Sequence, residues 1–151
     1  MVNNHILIIE DTHTMAALYA KYLTTQGYEV DIAETGRKGL SMIAEHVYSA
    51  IVLDLNLPDM NGMEILQHMQ TTIPSVPVIV VTAYGSLGAA VDSIKHGAFD
   101  FIMKPFASAR LNTTVKLAID HSTLKRELQE LKANMFDSLK KLPNDNAWSH
   151  G

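Results

Sequence analysis

The chain has 151 residues, a formal net charge of -4, 47% apolar residues and no cysteine. That length supports one folded domain with a tail, and the longest apolar runs are strand-length, so no stretch reads as a bilayer span. The acidic balance excludes a basic face for DNA, and the lack of cysteine excludes disulfides and thiolate metal sites. The seven histidines are scattered singly, without the paired spacing of a zinc site. Met1-Val2-Asn3-Asn4-His5 enters a strand with neither a basic region nor an apolar signal core, so the expected location is the cytoplasm.

His5 to Ile9 is a short apolar strand ending in Glu10-Asp11, and Thr12 then offers an N-cap for a helix to about Gln26-Gly27, with Met15, Leu18, Tyr19, Tyr22 and Leu23 at helical spacing. Tyr28 to Ala33 alternates as a strand with one face partly exposed. Thr35-Gly36 leads into a second helix, expected to turn Leu40, Ile43 and Val47 inward. Ile51-Val52-Leu53-Asp54 is a strand apolar on both faces that ends on an acid, and Pro58 and Gly62 mark the loop behind it. A third helix over 62–71 carries Met63, Ile65, Leu66 and Met69 and stops at Ile73-Pro74. Val76 to Val81 is a β-branched strand closing on Thr82-Ala83; a weaker helix over 85–96 carries Leu87, Val91 and Ile94 and is capped by Gly97. Phe99 to Met103 is a fifth strand ending in Lys104-Pro105, and a last helix starts near Ala107.

Strands alternating with helices predict a doubly wound α/β domain, because parallel strands need crossovers and right-handed crossovers place helices on both faces. Glu10, Asp11, Asp54, Thr82 and Lys104 each follow the last apolar residue of a strand, at the sheet edge where such folds bind ligands. Three converging carboxylates repel one another unless a hard cation joins them, and Mg²⁺ suits an all-oxygen site that also takes phosphate oxygens. An aspartate is an established nucleophile toward phosphorus, with the Thr82 hydroxyl and the Lys104 ammonium as donors to the phosphoryl oxygens. No glycine-rich phosphate loop follows the first strand, so the phosphoryl group is expected to arrive on a donor and not in a bound nucleotide. Lys104, read as the partner of a charge that arrives only on transfer, is expected to add little to stability beforehand.

The acidic pair Glu10-Asp11, Asp54 within Leu53-Asp54-Leu55-Asn56-Leu57-Pro58-Asp59-Met60-Asn61-Gly62-Met63, Thr82-Ala83 and Lys104-Pro105-Phe106 together resemble the receiver domain of a two-component response regulator. The run Gly97-Ala98-Phe99-Asp100-Phe101 is similar to the NtrC-type class, and Glu10-Asp11-Thr12 with Ala16-Ala17-Leu18-Tyr19 and Leu57-Pro58-Asp59-Met60 to its quorum-sensing branch. The resemblance implies a flavodoxin-like, CheY-like sheet of order 2-1-3-4-5. It implies a histidine kinase or phosphotransfer protein as donor and Asp54 as acceptor. Mg²⁺ is implied to be held by Asp54, Asp11 and the Asn56 backbone carbonyl, with Glu10 acting through water. It implies a switch in which Thr82 turns to the phosphoryl group and Phe101 follows inward, and a cis Lys104-Pro105 bond. Glu10, where many relatives have Asp, and the large ring of Tyr84 depart from the pattern and are expected to tune metal affinity or phosphate lifetime, as is Asn56. NtrC-type regulators carry an ATPase and a DNA-binding output, so the chain reads as a fragment: a receiver over 1–120, then a helical linker and polar tail over 121–151.

Two rivals stand beside this reading. A phosphatase with a transient aspartyl phosphate is disfavoured because such enzymes place the nucleophile on the first strand with a second acid two residues on, where this chain has Asn56 and the third strand. A degenerate receiver acting only as an interaction module is disfavoured by intact Asp54, Thr82 and Lys104. In the tail, Leu117, Leu124, Leu128, Leu131, Met135, Leu139 and Leu142 recur in steps of four and three, with His121 filling the one gap and Lys125, Arg126, Glu127, Glu130 and Lys132 on the flanks. That seam predicts a homodimer through Leu124, Leu128, Leu131 and Met135, against the alternative that it folds back on the receiver. Asn144 to Gly151, with Trp148, reads as a frayed linker.

Overall fold

The computed structural model describes residues 4–143, so the readings made for Asn144 to Gly151, Trp148 included, lie outside the described residues. The elements are β1 (His5–Ile9), α1 (His13–Thr25), β2 (Glu29–Ala33), α2 (Gly36–Glu45), β3 (Ala50–Asp54), α3 (Gly62–Thr72), β4 (Val78–Thr82), α4 (Leu87–Lys95), β5 (Asp100–Met103) and α5 (Ser108–Lys140). All strand pairs are parallel, in the order β2-β1-β3-β4-β5, as expected.

The period-two geometry of the strands sorts their apolar residues between two layers. Ile6, Ile8, Val52, Ile79 and Val81 face α1 and α5, where Tyr19, Leu23, Leu111 and Val115 are buried. Leu7, Ile9, Ile51, Leu53, Val78 and Val80 face the opposite layer, built from Ile43 of α2 and Ile65, Leu66 and Met69 of α3. Each large side chain buried in this way contributes about 1.5–3 kcal/mol, and sheet and helices hold each other rigidly enough to fix the strand ends.

Helix boundaries follow local chemistry. Thr35, Asn61 and Ser86 accept backbone amides at the starts of α2, α3 and α4. Gly27 and Gly97 take φ of 94° and 98° just past the ends of α1 and α4, a conformation that side chains strain.

One expectation is corrected. Val47 does not turn inward but is 90% exposed, because α2 stops at Glu45, His46 is extended, and Tyr48 takes the buried place instead. Leu87, Val91 and Ile94 of α4 are exposed, whereas Ser93 is the buried residue of that helix, its hydroxyl donating to the Ala89 carbonyl at 2.8 Å. The boundary expected at residue 120 falls inside the continuous α5, and Ser122 Oγ still donates to the Ser75 carbonyl at 3.0 Å.

Candidate functional site

Parallel pairing of β1, β3, β4 and β5 carries Glu10, Asp11, Asp54, Thr82 and Lys104 to one edge. With Thr12, Met15, Asn56, Ala83, Tyr84 and Pro105, three of these five, Asp11, Asp54 and Lys104, line a cleft of about 570 Å³; Glu10 and Thr82 are fully buried. Glu10, Asp11 and Asp54 present carboxylate oxygens within 4.8 Å of one another. Asp54 is nearly buried and Asp11 is exposed, so the cluster opens on the Asp11 side.

One ammonium faces these carboxylates. Lys104 Nζ donates to Asp54 Oδ2 at 2.8 Å and also to Glu10 Oε1. Its side chain is only 13% exposed and lies 5.8 Å from the centre of the Tyr19 ring, which stacks on Phe106. The expectation that Lys104 waits unpaired for a phosphoryl group is therefore corrected: it already neutralises part of a buried acidic pair. Burial works against the charged form of Lys104, but the bonds to Asp54 and Glu10 outweigh it and push the ammonium's pKa up. Burial raises the pKa of Glu10, the Lys104 bond opposes that rise, and the nearby Asp54 charge adds to it.

The remaining polar atoms are held by the β3–α3 loop. Asp54 Oδ1 accepts the Asn56 amide at 2.9 Å. Thr82 Oγ1 accepts both Asn56 Nδ2, at 3.1 Å, and the Tyr84 amide, at 3.3 Å, which leaves its O–H as the remaining donor. Tyr84 lines the cleft with its ring 79% exposed. Phe101 is half-buried against the α2/α3 layer, and a Cβ on Gly85 would sit 2.9 Å from its Cζ, so the β4–α4 loop lies directly on that ring. The Lys104-Pro105 bond is cis.

Several contributors escaped the sequence reading. The Thr12 amide donates to Glu10 Oε2 at 3.2 Å, a role hidden behind its N-cap position. Tyr19 read as plain core. Asp59 Oδ1 and Oδ2 accept the Gly36 and Arg37 amides at 2.8 and 2.9 Å, pinning the loop that carries Asn56 to the start of α2 and holding the Asp59 carboxyl below its usual range. Gly62 abuts Asp54 so closely that a Cβ would lie 2.5 Å from the Asp54 carbonyl oxygen. Its signal was the glycine eight residues after the acid, which marked only a turn.

A family profile described as the response regulator receiver domain matches residues 6–116. The chain belongs to this family. The receiver is 43% identical over 121 residues to the luminescence regulatory protein LuxO of Vibrio campbellii, covering 80% of this chain and 27% of that protein. It is 32% identical over 128 residues to the regulatory protein AtoC of Escherichia coli, covering 85% and 28%. The solved signal receiver domain of a LuxO repressor protein from Vibrio parahaemolyticus aligns with a TM-score of 0.80 at 37% identity, covering 84% of this chain and 98% of that one. It is a receiver of the LuxO/NtrC type, and it spans about a quarter of the length of the curated relatives it matches.

Three carboxylates against one ammonium leave an excess of negative charge at an all-oxygen corner, which fits the divalent cation typical of receivers. Among the described residues no helix is long and apolar enough to cross a membrane.

Proposed function

We propose that this receiver accepts a phosphoryl group on Asp54 from a histidine kinase or phosphotransfer protein, in the cytoplasm. In the longer protein it controls an ATPase and DNA-binding output in quorum-sensing transcriptional regulation, and it makes no direct contact with nucleic acid. The carrying observation is the convergence of Asp54 with two further acids, a hydroxyl and an ammonium at one sheet edge.

An Asp54 oxygen attacks phosphorus in line as the phosphorus–nitrogen bond of the donor breaks, and the imidazole leaves with the bonding electrons. Asp54, Asp11 and the Asn56 backbone carbonyl would hold Mg²⁺, and Glu10 would act on it through water. When bound, the ion supplies charge neutralisation to the phosphoryl oxygens. The Asn56 amide and Lys104 each hold one Asp54 oxygen and so orient the carboxylate. After transfer Lys104 pairs with a phosphoryl oxygen, and the Thr82 O–H donates to another. Turning Thr82 gives up its bonds to Asn56 and Tyr84, and the loop resting on Phe101 moves with it, so that Phe101 goes inward. Asn56 and Tyr84, beside the path of an attacking water, set the phosphate lifetime. Residues 1–120 act as the receiver and 121–151 as linker and tail. Leu124, Leu128, Leu131 and Met135 pair two copies.

Intact mass after incubation with Mg²⁺ and a small acyl phosphate tests the acceptor. Wild type is expected to gain one phosphoryl group, while Asp54→Asn stays folded and gains none. An adduct on that variant, or one formed with Mg²⁺ chelated, overturns the assignment.

A further inference from the structure

Tyr19 lies on the buried side of α1 with Ala16 and Leu23, and only 3% of its surface is exposed. It belongs to the core layer of Leu111 and Val115, yet two of its neighbours are parts of the strand-end site. The Lys104 Nζ stands over its ring, 5.8 Å from the centre, and Phe106, two residues further along the chain, stacks on it with ring centres 5.0 Å apart and planes inclined at 27°. The Tyr19 hydroxyl is weakly engaged, donating to Met15 Sδ at 3.7 Å, and a thioether is a poor acceptor. What Tyr19 offers the site is therefore its ring.

The three contacts of the Lys104 ammonium differ in kind. Those to Asp54 Oδ2 and Glu10 Oε1 are charge-assisted hydrogen bonds, each requiring an N–H aimed at one oxygen. Both carboxylates compete with a phosphoryl oxygen for the same ammonium, so a lysine that follows the phosphoryl group has to loosen them. The attraction of a cation to an aromatic face needs no particular N–H direction, reaches to about 6 Å, and strengthens where water is excluded. The Lys104 side chain is only 13% exposed, so the contact lies in that stronger regime. It is the one contact that persists while the ammonium changes partners. A lysine carries its charge on a flexible four-carbon stem, and the Phe106 stack holds the chain just beyond that stem against the same ring.

We infer that Tyr19 is a positioning residue for phosphoryl transfer, a role that rests on the acceptor function proposed above for Asp54: its ring holds the Lys104 ammonium in the site while that ammonium exchanges Asp54 and Glu10 for an oxygen of the incoming phosphoryl group. Tyr19 touches neither the metal position nor phosphorus, and no bond to it forms or breaks. Its effect passes through Lys104, so it depends on the electrons of the ring and vanishes when the lysine is absent.

The test follows intact mass over time with Mg²⁺ and a small acyl phosphate, for wild type, Tyr19→Phe, Tyr19→Leu and a protein carrying pentafluorophenylalanine in place of Tyr19. Tyr19→Phe keeps the ring and is expected to gain phosphate within about twofold of the wild-type rate, while Tyr19→Leu is expected to be about tenfold slower. The fluorinated ring keeps its shape but reverses the charge of its face, and is expected to be at least as slow as Tyr19→Leu. In a Lys104→Met background the further change Tyr19→Leu is expected to alter the rate by less than about twofold, because the two side chains act as one unit. A packing role alone would shift the melting temperature and leave the rate of folded protein unchanged. The fluorinated ring fills the same space, so it decides the matter even if Tyr19→Leu fails to fold. A fluorinated protein as fast as Tyr19→Phe, or a tenfold loss that persists in the Lys104→Met background, overturns the role of Tyr19 and leaves Asp54 as the acceptor. A wild type that gains no phosphoryl group overturns the acceptor role and the role of Tyr19 with it.

Discussion

Leu66 in α3 and Leu131 in α5 are the same residue at the same kind of position, an apolar side chain recurring at helical spacing, and they meet opposite fates. Leu66 is fully buried against the sheet, while Leu131 stands in the open. Periodicity says which face of a helix wants cover, and only topology says whether this chain supplies it: α3 lies on the sheet and distal α5 lies on nothing. The strand ends present the converse mismatch, with Glu10 and Asp54 buried as charges. Bare hydrocarbon at one end and crowded carboxylate at the other are each costly alone; Lys104 offsets part of the second, and nothing among the described residues covers the first.

Truncating the two leucines separates burial supplied by the fold from burial awaiting a partner. Leu66→Ala is expected to cost about 3 kcal/mol in urea unfolding, as transfer loss plus a cavity. Leu131→Ala is expected to leave the unfolding of dilute, monomeric protein within about 0.5 kcal/mol of wild type. An equal loss at both positions would erase the contrast.

A finer version concerns one acid near the site. Asp59 is an exposed acid whose bonds to the Gly36 and Arg37 amides depress its pKa below the usual 3.8. A carboxyl depressed in the folded state adds stability above its unfolded pKa and loses it as pH falls through the folded one. Wild type should therefore lose stability below about pH 3.8 in part through this group, and Asp59→Asn should show a shallower acid limb in thermal melts. Identical limbs would mean that the loop is not held by this charge.

Much of the fold was legible because strand signals were strong. β-Branched runs closed by polar residues marked β1, β3 and β4 to within a residue or two, and the alternation of strands and helices left few topologies. The site was legible because its five polar groups fall at strand ends and parallel strands bring those ends together. The misreadings came where spacing alone had to stand for geometry. Val47 continued a helical pattern past the point where His46 turns extended. The α4 stripe had the right spacing, but the buried place on that helix went to Ser93. The pairing of Lys104 with Glu10 depends on side-chain reach across strands 94 residues apart, which no local pattern encodes. Asp59 likewise acts 23 residues away, on the amides of another helix.

The strand-end account is tested most directly by thermal melting against Mg²⁺ concentration, for wild type and Lys104→Met. If the buried acids are held in place for a cation, Mg²⁺ binds the folded state and the wild-type Tm rises with its concentration. Without Mg²⁺, Lys104→Met leaves Glu10 and Asp54 uncompensated and should be destabilised by about 3 kcal/mol, then recover more on addition of Mg²⁺ than wild type gains. A wild-type Tm indifferent to Mg²⁺, or a Lys104→Met variant that melts with wild type when Mg²⁺ is chelated, would contradict it.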